Sequence, residues 1–130
     1  MTKTFSSRAS PPLIVGSIDN IIPNQLYNVQ VEVMQTDMSD RYENAAISLN
    51  GVSYGSCDGG NTRDGACGWY DCQSQISSNQ LTSSSTSVSV RLAYTSSVAS
   101  SHSTCTDSAS GESGGGVARV TLTPVGKFME

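Results

Sequence analysis

The sequence predicts an all-β protein, a two-sheet antiparallel β-sandwich of jelly-roll or Ig-like topology with about seven or eight strands and two disulfides. Three observations lead there. Apolar residues alternate with polar ones wherever the 130-residue chain has any pattern, which is the signature of half-buried strands. No window places apolar residues at helical spacing between a cap and a glycine stop, so helix is limited to a turn or two around Ser39 to Asn44. Clusters of Gly, Ser, Asn and Pro punctuate the chain at intervals that suit short strands.

Taken in order, the first candidate strand is Leu13 to Ile18. The second is YNVQVEVM, where Tyr27, Val29, Val31 and Val33 share one face and Asn28, Gln30, Glu32 and Met34 the other. Ala45 to Leu49 and Val52 to Cys57 flank Asn50-Gly51, and Asn-Gly between two β-rich runs is the strongest short hairpin signal. Gly68 to Cys72 is a further short strand. In TSVSVRLAY, Val88, Val90, Leu92 and Tyr94 alternate with Ser87, Ser89, Arg91 and Ala93. In VARVTLTPV, Ala118, Val120, Leu122 and Pro124 alternate with Val117, Arg119, Thr121 and Thr123. The expected organisation is an extended N-terminal arm over 1–12, one sandwich domain over 13–126 and a short tail over 127–130. The arm, TFSSRASPPLIVG, is polar and proline-containing, suited to adding as a strand to a neighbouring sandwich or to serving as a stiff linker.

Composition narrows the function. The 24 Ser and 11 Thr make up over a quarter of the chain, while only 14% is charged against a usual value of about 25%. The surface is therefore coated with hydroxyls. A net charge of −4, with the seven bases dispersed, opposes a polyanionic partner and argues against nucleic acid. One core's worth of chain argues against a multidomain enzyme. No run approaches the 18 or more apolar residues of a membrane-spanning helix, so membrane insertion is not expected. The N-terminus lacks the apolar run of a signal peptide, which leaves either a signal already removed or an excerpt.

Cys57, Cys67, Cys72 and Cys105 read as two disulfides of an extracellular or cell-surface protein, with free thiols in a cytosolic protein as the alternative. Of the three connectivities, Cys57 with Cys67 and Cys72 with Cys105 is favoured, because the first pair brackets the glycine-rich loop. A four-cysteine zinc site fits less well, since only Cys67 and Cys72 approach knuckle spacing. There is no Asn-x-Ser/Thr sequon, so glycans would be O-linked to the hydroxyl tracts.

The succession VEVMQTD, AISLNGVSYGSC, TSVSVRLAYTS and GGGVARVTLTPV, spanning residues 26 to 125, resembles the galactose-binding-like β-sandwiches of extracellular proteins. That resemblance implies adhesion, structural or carbohydrate-binding roles and a structural calcium near the sheet edge. No sugar-binding triad of that family maps onto these residues.

Three candidate sites follow. Asp37, Asp40 and Glu43 recur every third residue after a strand and offer hard oxygen ligands for calcium, as do Asp58, Asn61 and Asp64 in the glycine-rich loop, though turn-forming Asp and Asn account for both patterns as well. Trp69 and Tyr70, with Asp71, Asn61 and Arg63 nearby, could form a sugar-stacking platform with directional hydrogen bonds. Against this, tryptophan is buried on average, and Trp69 serves equally as a plug for the core or a cover for the disulfides. The single His102, near Cys105 and Asp107, is a poor basis for catalysis, because one Ser among 24 lies near it by chance and a disulfide consumes the thiol. The expected function is thus a non-enzymatic structural or adhesive unit of a fibre or cell-surface assembly. Its partners are copies of itself or neighbouring domains of a surface protein. The alternative is a lectin-like module that binds glycans, with calcium as the candidate cofactor.

Overall fold

A computed structural model of the chain describes residues 1–38, 42–59, 65–98 and 104–126. Eleven strands and no helix lie within them: β1 (Thr2–Ser7), β2 (Leu13–Asp19), β3 (Leu26–Met34), β4 (Asn44–Leu49), β5 (Val52–Asp58), β6 (Trp69–Asp71), β7 (Gln80–Thr82), β8 (Ser87–Tyr94), β9 (Cys105–Thr106), β10 (Ser113–Gly114) and β11 (Gly116–Pro124). One sheet runs β1-β11-β3, with β6 and β7 following one another along the free edge of β3. The other runs β2-β8-β4-β5. Every pairing is antiparallel and the pairs are nested: β1 with β11, β2 with β8, β3 with β6 and β7, β4 with β5. Four nested pairs distributed over two sheets make jelly-roll connectivity, which decides between the two topologies expected from sequence. The count exceeds seven or eight because one strand position is split into β6 and β7 and because β9 and β10 form a separate two-residue ribbon.

The alternation read from sequence is the packing of the core. Tyr27, Val29, Val31 and Val33 of β3 and Ala118, Val120 and Leu122 of β11 face Val88, Val90, Leu92 and Tyr94 of β8 and Ala45, Ile47 and Leu49 of β4. Each such Val, Leu or Ile contributes about 1.5–3 kcal/mol by leaving water. In β11 the pattern departs from expectation at both ends. Pro124 is exposed, while Val117, on the polar side of the alternation, is fully buried because the ribbon β9–β10 covers that end of the outer face.

Residues 2–7 are not a free arm. They form β1 and pair with β11 from Thr2↔Thr121 to Ser7↔Gly116, and Phe5 is buried in the core. An edge strand is held mainly by its backbone on one side, so TKTFSS needs a single large apolar residue. Lys3 lies at the rim, its Nζ 5.4 Å from the Phe5 ring centroid and donating to the Ser17 carbonyl, as long cationic side chains do at the margin of a core.

The disulfides also differ from the favoured pairing: Cys57 bonds Cys72 and Cys67 bonds Cys105. Cys57 points inward from β5 in the second sheet, and Cys72 points inward just after β6 in the first, so the two meet across the core and both are fully buried. With all four cysteines oxidised, no thiol is left for zinc. After Cys72 the chain swings to the other sheet, where Ile76 bridges Gly55 of β5 and the Ser77 amide donates to the Tyr54 carbonyl. Gly55 permits this approach. Its φ of +102° suits only glycine, and a Cβ there would lie 3.1 Å from the Gln75 carbonyl oxygen. The chain then returns to the first sheet as β7. Asn50-Gly51 turns with φ of 52° and 76°, the positive pair of a type I′ hairpin.

Candidate binding face

The outer face of the first sheet is built from the residues that β-alternation turns away from the core. Thr4, Arg119, Glu32 and Asp71 form one cross-strand row; Thr2, Thr121 and Gln30 the next; Thr123, Asn28 and Gln80 the third. The other end of this face is covered. There Cys105 in β9, tied to Cys67, packs with Met34, Val117 and the half-buried Trp69 into a second small apolar cluster.

Trp69 is therefore neither a free platform nor a core plug. The Arg119 guanidinium lies 4.2 Å from its ring centroid, within cation–π range, and makes a bidentate pair with Glu32 at 2.6 and 3.0 Å. The Glu32 hydrogen bond holds the Arg119 pKa above its usual value, against the opposing effect of burial. Tyr70 turns inward against the main core and its hydroxyl accepts from Gln75 Nε2. Asp71 is exposed. Asn61 and Arg63 lie outside the described residues.

Beside Asp71 the face opens into a recess of about 380 Å³ lined by Asn28, Val29, Gln30, Asp71, Gln73, Asn79 and Thr123. Its origin is the break between β6 and β7. β6 stops opposite Glu32 and β7 starts opposite Asn28, so no strand covers β3 at Gln30 while the chain visits the second sheet. Two backbone bonds mark the lips of the gap: the Cys72 amide donates to the Val31 carbonyl and the Val29 amide to the Asn79 carbonyl. Asp71 is fixed from two sides, Oδ2 accepting from Gln30 Nε2 at 3.2 Å and Oδ1 from the Gln73 amide at 2.9 Å. The site shares only Asp71 with the residues singled out from sequence. Asn28, Gln30 and Thr123 were visible only as the wet half of the β3 and β11 alternation, with amides where charges are usual, and Gln73 and Asn79 lie between β6 and β7, where no strand pattern marks them.

Of the calcium candidates, Asp37 is buried and Glu43 half-buried, each engaged by a partner, and Asp40 lies outside the described residues. Asp58 has partners, while Asn61 and Asp64 fall outside the described residues. Among the described residues no three His, Cys, Asp or Glu side chains stand close enough to hold a metal. His102 also lies outside them. Asp107 caps its own turn, with Oδ2 accepting from Ser110 Oγ at 2.8 Å.

The outer face of the second sheet carries Leu13, Ala93, Ala46 and Ser56 in one row and Val15, Arg91, Ser48 and Ser53 in the next. No protein family, curated protein or solved structure matches the chain.

Proposed function

We propose that the chain is a non-enzymatic, extracellular β-sandwich that acts as an adhesive or structural unit of a cell-surface or fibre assembly, contacting its partners through its exposed sheet faces. The observation that carries this reading is the makeup of those faces: Thr, Asn and Gln on one sheet, Ser and Ala with the exposed Leu13 and Val15 on the other, with charges few and two of them, Arg119 and Glu32, paired with each other. Covering such side chains costs less desolvation than covering unpaired Lys or Glu, so they form contacts without leaving a buried unpaired charge. The two disulfides are consistent with an extracellular or secreted protein, and among the described residues no helix is long and apolar enough to cross a membrane.

The test is a bead assay with the oxidised chain. Coated beads are expected to aggregate with one another or to attach to a cell surface. Beads that stay dispersed and ignore cells would remove this reading.

A further inference from the structure

We infer that the recess at the break between β6 and β7 is a binding site for a neutral saccharide, held by Asn28, Gln30, Asp71, Gln73, Asn79 and Thr123. This deepens the adhesive reading by naming a partner for one of the two faces. Three features point to that ligand chemistry.

The first is the inventory of hydrogen-bonding groups. Four side-chain amides, a carboxylate and a hydroxyl converge on one hollow. Among the described residues the side chains of Asn28, Gln73, Asn79 and Thr123 make no hydrogen bond of their own. Amides present donors and acceptors side by side, and so does a sugar ring with its alternating hydroxyls. The second is preorganisation. Asp71 is held by Gln30 and by the Gln73 amide, leaving lone pairs to accept from two vicinal hydroxyls in charge-assisted bonds. The third is charge and polarity. Among the described residues the one charged lining group is negative, and the nearby Arg119 is committed to Glu32 and Trp69, so none of them compensates a carboxylate or sulfate on the ligand. Among the described residues no aromatic side chain lines the hollow, and Val29, the one apolar residue there, buries its side chain in the core, so an apolar ligand gains little. A volume of about 380 Å³ is at the small end for ligand sites and suits one or two sugar rings.

The experiment is an amide-resolved NMR titration of the full oxidised chain with the methyl glycosides of glucose, galactose and mannose, and in a separate arm with glucuronic acid. At least one neutral glycoside is expected to shift the amide signals of the lining residues, and glucuronic acid to bind at least about tenfold more weakly. Asn28→Ala and Thr123→Ala alter exposed side chains that hold nothing else in place, and each is expected to weaken binding about three- to tenfold while leaving the rest of the spectrum unchanged. Asp71→Ala is expected to abolish the shifts. Silence from all three glycosides, shifts centred elsewhere, or equal binding of glucuronic acid would each overturn the proposal. Beads that adhere without any saccharide shift remove this site and leave the adhesive reading; saccharide shifts without adhesion do the reverse.

Discussion

At the scale of single residues, Tyr94 shows what alternation fixes and what it leaves open. Its inward direction was legible, since it is the last apolar residue in the run Val88, Val90, Leu92. Its surroundings were not, because they come from distant segments. The ring lies against Gly116, where a Cβ would stand 3.0 Å from two ring carbons, and its hydroxyl is buried without a hydrogen-bond partner among the described residues. An unsatisfied buried hydroxyl costs about 1–3 kcal/mol. Tyr94→Phe removes that cost and leaves only a small gap, so it is expected to stabilise the fold by about 1 kcal/mol at neutral pH in chemical denaturation. The same burial pushes the Tyr94 phenol well above its ordinary value. Below about pH 10 the phenol is neutral in both states and pH has no leverage through it. Above that, the unfolded chain releases the proton and the folded one retains it, so stability falls by up to about 1.4 kcal/mol per pH unit. Burial raises Tyr54 as well, so Tyr94→Phe should make the alkaline loss shallower without abolishing it. An unchanged slope would mean that the folded protein ionises Tyr94 freely.

At the scale of elements, the long strands were legible and the short ones were not. β3, β8 and β11 each carry four inward positions or nearly so, enough for a period to show. β1 has Phe5 alone, and β9 and β10 have two residues each, so their pairing is imposed by what they lie against. The cysteine pairing failed for a related reason. Sequence proximity favoured Cys57 with Cys67, but β5 and β6 belong to different sheets, and alternation turns Cys57 and Cys72 toward each other across the core. Cys67, at φ +58°, turns instead to the outer face and pins the ribbon. The two bridges close loops of 15 and 38 residues, and chain entropy assigns them about 3 and about 4 kcal/mol. They differ more in access. Cys57 and Cys72 are fully buried, whereas Cys67 is partly exposed. A mild dithiol reductant should therefore open Cys67–Cys105 first, seen as alkylation of those two cysteines alone by mass spectrometry. Release of β9–β10 should expose Trp69, the only tryptophan, and shift its fluorescence to the red while the sandwich remains folded. Simultaneous labelling of all four cysteines would show that the ribbon and the core open together.

At the scale of the whole molecule, the scarcity of charge was evident from composition, and alternation showed which strand residues face outward. How those residues line up from strand to strand depends on jelly-roll register, and the recess depends on a strand that breaks to seal the flank, so neither was legible. Register turns a hydroxyl-rich average into two distinct faces, one of Thr and amides, one of Ser and Ala with Leu13 and Val15. Contacts made by such faces draw on hydrogen bonds and covered area, which salt screens little, whereas contacts between scattered charges weaken as the Debye length falls from about 30 Å at 0.01 M to about 3 Å at 1 M. The net charge of −4 adds only a mild repulsion between copies at low salt. Adhesion of the coated beads is therefore expected to hold within about twofold from low salt to about 0.5 M, or to rise slightly as that repulsion is screened. A steep loss over that range would locate the contact on exposed charges such as Asp19 and Arg91 instead of on the uncharged side chains beside them.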